Sequence, residues 1–387
     1  MTDEARAARA GPQPPAAAPV LVLLPDGEAR VELARPVLGA PPGVRLAEAA
    51  RRAGFSGVIL APGTCAEVPG AEAMSTGDPV AAPALVAFES AVIAEPLLRL
   101  MAVHPLAPDE GFSLGDAAGR PSAWFTGWLS SVPPEMPISE EIDWPEGRGP
   151  EDLARFVYAE DRPRVEAVIW SDRVGGAAPP GAPWDGLQRT TLRRLADGGR
   201  PLGQIELVAV LLAVLSGALV PVAGGLGALL GAVLLGAGVQ LAALLPALAR
   251  LVGGRGGPAD ALWLAPAVRP FGHAAYGAAL TYALVSETGR SSVAGFVLLA
   301  LGAGAVGLSL VHARDVLRGE RPRFELPSAE AFAARVGVAL PGWLRTDVRI
   351  ELAALALALT GEPGLPWGVL VGAALARLWG WYVAPRS

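Results

Sequence analysis

The chain has 387 residues and is 52% hydrophobic, which is too apolar for one ordinary soluble domain of this length. Its net charge of −6 does not favour nucleic-acid binding, and all 31 basic residues are arginine, so no lysine can serve as a base or a Schiff-base nucleophile. One cysteine, Cys65, excludes an internal disulfide framework, and three scattered histidines (His104, His273 and His312) do not predict a zinc site.

The N-terminal half predicts a soluble α/β domain over residues 19–170. Residues 1–18 are polar and rich in proline, which predicts disorder, and they lack the apolar core of a signal peptide, so we expect the soluble half in the cytoplasm. Short apolar runs that end at turn residues alternate with one helical pattern, which is typical of a βαβ unit. The predicted elements are strand Val20–Leu24, helix Arg45–Ala53, strand Gly57–Leu60, strand Ala84–Phe88 and helix Ile93–Met101.

Only part of the stretch before the first apolar segment predicts a regular element. Residues 105–150 are rich in proline, glycine and tryptophan and predict no clear element, whereas Glu151–Ile169 predicts a helix with charged faces. Residues 171–204 predict a linker and a juxtamembrane segment, of which Gly175–Pro183 is the flexible part.

Residues 205–387 predict an all-α membrane domain of about six transmembrane helices. The apolar segments lie near 205–222, 226–249, 270–286, 293–312, 348–362 and 365–383. Arginine is concentrated before the first segment, after the second and after the fourth, so the positive-inside rule predicts a multi-pass protein of the inner membrane with both termini cytoplasmic. Residues 328–340 predict an amphipathic interfacial helix.

The stretch from Leu245 to Ala267 resembles the signature of the CDP-alcohol phosphatidyltransferase family, D-G-x2-A-R-x8-G-x3-D-x3-D. Ala249-Arg250 matches the A-R pair of this signature. The pair follows the second apolar segment, as the signature follows the second membrane helix in the family. The resemblance implies that fold, with two divalent cations and a CDP diphosphate held by the acidic positions. Several carboxylates are needed to hold paired hard cations beside a pyrophosphate.

The acidic positions of the signature are not acidic in this chain. Leu245, Trp263 and Ala267 stand where the resemblance expects aspartate, and Asp260 lies one residue past the second glycine position. One carboxylate cannot hold two metal ions. We therefore expect no catalytic residue, no bound metal and no cofactor, with Mg²⁺ or Mn²⁺ used only if the protein is active, and Arg250 with Asp260 as candidate head-group contacts.

The rest of the chain is similar to bifunctional members that have an N-terminal nucleotidyltransferase. Their connector ends in D-G-x3-R, which Asp185-Gly186 and Arg189 resemble with one residue fewer before the arginine. Val20–Arg30 is similar to the strand and phosphate loop of that domain, Arg35 takes the place of its lysine, and Glu89 or Ser90 that of its metal-binding aspartate. Asp26 and Glu28 replace the loop glycines and would repel a triphosphate, so this site is expected to be lost. Arg30, Arg35, Glu89, Asp185 and Arg189 remain candidate ligand contacts.

Charged residues inside apolar segments are the last group of candidates. Arg349 and Glu351 begin the fifth segment and Arg377 lies within the sixth. Charged side chains inside the hydrocarbon core of a membrane are costly and are usually paired, so Glu351 and Arg377 could pair between helices. The alternative is that the arginine side chains extend to the membrane–water interface, beside a belt of Trp and Tyr. His273 and Tyr276 are interpreted as packing residues.

The sequence thus predicts a catalytically inactive relative of CDP-alcohol phosphatidyltransferases in phospholipid metabolism. We expect membrane lipid as a partner, a CDP-alcohol or nucleotide as a possible ligand, a possible homodimer and no nucleic acid. One alternative is an active transferase in which Asp185, Glu206 and Asp260 converge on a metal. The others are a small transporter and a plain membrane anchor for the α/β domain.

Overall fold

A computed structural model describes the chain over 18–29, 33, 35–75, 80, 83–104, 106, 110–127, 129, 144, 148–174, 183–252, 262–289, 292–319 and 349–383. The chain divides into two compact units. The first consists of Met1–Ala178 and Arg193–Gly199, and the second consists of Pro179–Leu192 and Arg200–Ser387. The first unit is an α/β region with a mixed sheet, and the second is helical. The predicted linker Gly175–Pro183 and interfacial helix 328–340 lie wholly or almost wholly outside the described residues.

The first unit is built on a six-stranded sheet of order β3-β2-β1-β4-β7-β6. A second sheet pairs β5 with β8 in antiparallel fashion. The strands are β1 Val20–Leu24, β2 Gly57–Leu60, β3 Glu72–Ala73, β4 Ala84–Phe88, β5 Ala91–Ile93, β6 Gly111–Gly115, β7 Pro121–Thr126 and β8 Leu153–Arg155. The helices are α1 Pro42–Ala53, α2 Glu95–Val103, α3 Arg162–Val174 and the end of α4 Pro183–Asp197.

Strand β1 is the centre of this unit because both of its faces are buried. Leu21 and Leu23 pack against residues of α1 and α2, whereas Val22 and Leu24 pack on the other face with Trp124 and its neighbours. Successive side chains of a strand point to opposite faces, so a continuous apolar run suits a strand that is covered on both sides. Strand β1 pairs in parallel with β2 on one side and β4 on the other, which places a topological switch point between β1 and β4.

The sequence predictions for the first unit are confirmed at the centre of the sheet. The three predicted strands have the predicted bounds, and α1 contains the predicted Arg45–Ala53. The predicted helix Ile93–Met101 begins two residues late, because Ile93 ends β5.

The predicted helix Glu151–Ile169 is wrong over its first part. Leu153–Arg155 form β8, and the α-helix starts only at Arg162. The reason is tertiary pairing, because β8 forms a ladder with β5, in which Ile93 lies opposite Leu153. This pairing overrides the local helical pattern.

The described part of the second unit contains six α-helices beyond α4, and each of them overlaps one predicted apolar segment. They are α5 Leu202–Leu215, α6 Val220–Val252, α7 Val268–Thr288, α8 Val293–Leu317, α9 Arg349–Ala358 and α10 Gly364–Val383. Helix α5 has 14 residues, which is about 21 Å at 1.5 Å per residue and shorter than the apolar segment predicted from the sequence. Helix α6 is interrupted at Gly224, whose φ of 54° lies in the left-handed region.

Among the described helices, α6 and α8 are long and apolar enough to cross a membrane, by length and composition. Only 22% of the most apolar window of α8 is buried, so most of its apolar surface has no protein neighbour within the described residues. These helices give the second unit the character of a membrane-associated domain.

Glycines let the helices of the second unit approach closely. A side chain added at Gly238 of α6 would place its Cβ 2.7 Å from the Ala209 carbonyl oxygen of α5, and one at Gly231 would lie 2.8 Å from the Tyr276 ring of α7. Small residues at such positions allow backbone-to-backbone packing of apolar helices. By contrast, no atom lies within 4 Å of a Cβ added at Gly236.

We expect Gly238→Ala to destabilise the second unit and Gly236→Ala to leave its stability unchanged or higher. The first substitution overpacks the α5–α6 contact at a cost of about 1–3 kcal/mol, and the second gains up to about 1 kcal/mol of helix propensity. Thermal unfolding of the full chain in detergent measures both variants in the same helix. Equal stability of the two variants would contradict the packing described here.

Candidate functional site

The carboxyl ends of β1 and β4 bring two acidic residues to the switch point of the sheet. Asp26 follows β1 after Pro25, and Glu89 follows β4 directly. Both residues are buried, with 7% and 2% of their surfaces exposed. This edge is where ligands bind in open α/β sheets, and it is the place where the sequence resemblance puts a nucleotide.

An ion pair fills the position beside Asp26. Arg155 of β8 donates from Nε to Asp26 Oδ2 at 2.9 Å and from Nη2 to Oδ1 at 2.6 Å, and its guanidinium lies 3.9 Å from the centre of the Phe88 ring. The Ser90 hydroxyl also donates to Asp26 Oδ2, and the backbone N–H of Glu28 donates to Oδ1 at 3.0 Å. Burial by itself would raise the pKa of Asp26, but the hydrogen bonds from Arg155 and Ser90 hold it below its usual value.

Glu89 accepts hydrogen bonds from the loop that follows β2. Its Oε2 accepts the backbone N–H groups of Cys65 at 2.7 Å and Ala66 at 2.8 Å. Burial raises the pKa of Glu89, and these two hydrogen bonds oppose the rise. Because Asp26 and Glu89 each have internal partners, the carboxylates of this edge act as structural ligands for the protein's own arginine and backbone groups.

Of the other predicted contacts, Arg35 is exposed in the loop before α1, and Arg30 lies outside the described residues. Asp185 and Arg189 belong to the second unit, where Arg189 is exposed and the side chain of Asp185 is not among those described. Arg155 was not predicted from the sequence, because its pairing with Asp26 depends on the β5–β8 ladder.

In the second unit, apolar side chains occupy two of the positions where the resemblance expects carboxylates. Leu245 and Ala267 are both fully buried, whereas Trp263 is 64% exposed. Arg250 is exposed in the last turn of α6, and Asp260 lies outside the described residues. Across the described part of the chain, no group of three or more His, Cys, Asp and Glu side chains could hold a metal ion.

Glu206 has a structural use near this stretch. Its Oε1 accepts the backbone N–H groups of Leu264 at 2.8 Å and Ala265 at 2.6 Å, and only 3% of the residue is exposed. These N–H groups precede α7, where a carboxylate satisfies donors that have no partner within the helix. The alternative in which Glu206 helps to hold a metal would require these bonds to break.

A buried polar cluster joins two helices of the second unit, α7 and α9. Glu351 of α9 receives a hydrogen bond at 3.0 Å from Arg269 Nε of α7, and its Oε1 lies 2.7 Å from His273 Nε2. His273 and Tyr276 are buried, as expected for packing residues, but His273 is also a polar partner of the carboxylate. Pairing of Glu351 with Arg377 was one of the two interpretations of these charges; the structure pairs Glu351 with Arg269 and His273, which lie one turn apart on α7.

Arg377 of α10 is the unusual member of this region. It is 3% exposed, and its Nε has no hydrogen-bond partner among the described residues; the same holds for Glu351 Oε2. Arg377 lines a small cavity together with His273, Ser309 and Trp367. A buried donor without a partner is costly, so this guanidinium is an open position for an acceptor atom. The side chain of Arg349 is not among those described.

The chain matches no family model, and no curated protein is significantly similar to it. The arguments about function below therefore rest on the residues and their geometry.

We expect Arg155→Met to destabilise the first unit by about 3–5 kcal/mol, because it leaves the buried Asp26 carboxylate without its cation. The double change Arg155→Met with Asp26→Leu removes both charges and should recover most of this loss. Hydrogen exchange of β1 and β4 in the full chain, followed as temperature rises, reports the change. Arg164→Met, at an exposed arginine of α3, is the matched control and should stay within about 0.5 kcal/mol.

The Asp26 pKa gives the first unit an acid-labile contribution to stability. A carboxylate whose pKa in the folded state lies below its ordinary value of 3.8 stabilises the fold above that value, and the stabilisation is lost as the pH falls through the folded pKa. Asp26→Asn should therefore lower stability at neutral pH and flatten the loss of stability below about pH 4. Parallel acid titrations measure this; a variant with an unchanged acid slope would exclude Asp26 as its source.

Proposed function

We propose that this chain is a multi-pass membrane protein, related to CDP-alcohol phosphatidyltransferases, that binds a phosphate-bearing lipid or nucleotide-alcohol without transferring it. The observation on which the proposal rests is the contrast between two sets of side chains. Leu245 and Ala267 bury apolar groups where the transfer reaction would need carboxylates. Arg377 and its neighbours instead offer buried cationic and polar groups around a cavity.

The proposed topology puts these cationic groups near one end of the second unit. If each of α5 to α10 crosses the membrane, the end of α6, the start of α7, the end of α8 and the start of α9 face the same side. His273 lies five residues into α7 and Arg377 six residues before the end of α10, so both are about 7–9 Å from that side. Arg250 ends α6 and Arg314 and Arg318 end α8 there, which supports a cytoplasmic assignment under the positive-inside rule.

The chemistry of the site supports a phosphate group as the ligand. A guanidinium is planar, remains charged and matches phosphate oxygens, so Arg377 could satisfy its open Nε with a phosphate oxygen. The cavity of about 10 Å³ has the size of one water molecule, so the helices around it would have to separate to admit the phosphate group. Glu351 Oε2 could accept a hydrogen bond from a hydroxyl of the same ligand. We propose that Arg250, which is exposed at the end of α6, adds a second contact to the anionic head group.

The absence of transfer follows from the physics of the reaction. Displacement at a CDP diphosphate uses paired divalent cations, which need several converging oxygen ligands. The carboxylate of Glu206 is bonded to two backbone N–H groups, and Leu245 and Ala267 provide no oxygen ligand from their side chains. We therefore propose a binding or scaffolding role at the membrane for this protein.

The test combines a turnover assay with a binding assay on the full chain reconstituted in lipid. CDP-diacylglycerol, an acceptor alcohol and Mg²⁺ or Mn²⁺ are supplied, and CMP release is measured beside an active transferase of the family. We expect no release from this protein. We also expect CDP-diacylglycerol to raise its unfolding temperature, whereas diacylglycerol without the phosphate groups should not.

Variants identify the residues responsible for binding. Arg377→Met should weaken binding about tenfold or more, because it removes a charged hydrogen-bond donor, and it should not lower stability, because methionine leaves no unpartnered charge. Arg250→Ala should weaken binding less, and Arg318→Ala, exposed at the end of α8, is the matched control. Metal-dependent CMP release that Arg250→Ala abolishes would establish an active transferase instead. Absence of both release and stabilisation would leave the role of a membrane anchor.

A further inference from the structure

The loop between β1 and α1 contains a residue in a costly backbone conformation. Leu38 has a φ of 52°, and it is the one non-glycine residue of the described chain with positive φ. For a residue with a Cβ, the left-handed region is sterically costly, and such a residue persists only where its surroundings hold it. Leu38 is fully buried, so the fold enforces this turn.

Two side chains hold the loop through hydrogen bonds to its backbone. Asp197 Oδ1 accepts the Leu38 N–H at 2.9 Å. Arg45 of α1 donates from Nε to the Val37 carbonyl oxygen at 3.1 Å and from Nη2 to that of Leu38. Within the turn, the Val37 N–H donates to the Ala40 carbonyl oxygen at 3.0 Å.

Asp197 is the last residue of α4, and Leu202 begins the first apolar helix five residues later. The last turn of α4 is bound to the first unit by two charged contacts. Arg162 of α3 donates to Asp197 Oδ2, and Arg193 Nε donates to Glu166 Oε1 at 2.9 Å. The carboxylate that holds the strained loop therefore belongs to the segment that leads into the apolar helices.

We propose that Asp197 is a conformational latch between the juxtamembrane helix α4 and the β1–α1 loop. While the last turn of α4 is docked, Asp197 holds Leu38 in the left-handed turn. When that turn undocks, the Leu38 N–H loses its acceptor, the residue relaxes to negative φ, and the Val37–Ala40 bond breaks. The coupling is reciprocal, because any event that favours one state of the loop must favour the matching state of the helix by the same free energy.

The location of the loop connects the latch to the carboxyl edge of the sheet. It belongs to the connection that leaves the carboxyl end of β1, at the same edge as Asp26, where open α/β sheets bind ligands. A displacement of α4 by events in the apolar helices would alter this edge, and a molecule bound at the edge would alter α4. This inference rests on contacts within the first unit and does not depend on the proposed ligand of the second.

Hydrogen exchange of the full chain in lipid tests the latch through individual backbone amides. Asp197→Ala should raise exchange of the Leu38 and Val37 amides about tenfold to a hundredfold, the range expected for losing a hydrogen bond to a charged group. Asp197→Asn keeps an oxygen acceptor for Leu38 and should give a smaller rise. Strands β1 and β4 should exchange as in the unaltered chain, which separates latch release from unfolding.

Leu38→Gly distinguishes a latch that restrains strain from the simple loss of one hydrogen bond. Glycine adopts positive φ without the steric cost, so Leu38→Gly combined with Asp197→Ala should restore protection of the Val37 amide. Reciprocity is tested with Arg45→Met, which frees the loop and should raise exchange of the Gly198 and Gly199 amides at the end of α4. Unchanged Val37 and Leu38 exchange in Asp197→Ala, or no restoration by glycine, would overturn the proposal.

Discussion

The ion pair between Asp26 and Arg155 is the interaction on which the α/β unit depends. It connects the end of the central strand β1 to β8, the strand that completes the small second sheet. Because both groups are almost completely buried, each is tolerated only in the presence of the other and of the hydrogen bonds from Ser90 and the backbone. The pair occupies the switch point, so the sheet edge that usually receives a ligand is stabilised from within by the chain's own charges.

The same constraint acts on the helical unit, although two of its buried charged side chains, those of Glu351 and Arg377, each leave one polar atom without a partner among the described residues. Glu351 is matched by Arg269 and His273, and Glu206 is matched by two backbone N–H groups. Arg377 is buried to a similar degree, yet its Nε has no acceptor among the described residues. Glu351 Oε2 is also without a partner among these residues, so a donor and an acceptor of this unit both remain open.

Local patterns were sufficient to predict β1, α1, β2 and β4, because each is an apolar run or helical repeat bounded by Gly or Pro. In the second unit, the apolar segments predicted the approximate positions of the helices. Prediction failed where distant residues decide the structure. Strand β8 forms through pairing with β5, so Glu151–Ile169 was taken for one helix. Arg155 and Asp26 are 129 residues apart, and His273 and Glu351 are 78 apart. Neither pairing has a local signal, although the charge of Glu351 in an apolar segment did mark it as needing a partner.

The positions at which the resemblance expects aspartate are suited to apolar side chains in this helical unit. Leu245 and Ala267 contribute buried apolar surface there. A lone buried carboxylate without a cation or a hydrogen-bond donor is costly. Among the described residues, no group of three or more acidic, His or Cys side chains could hold a metal ion beside it. A single aspartate at either position would therefore destabilise the second unit without creating a metal site, since paired hard cations need several converging carboxylates.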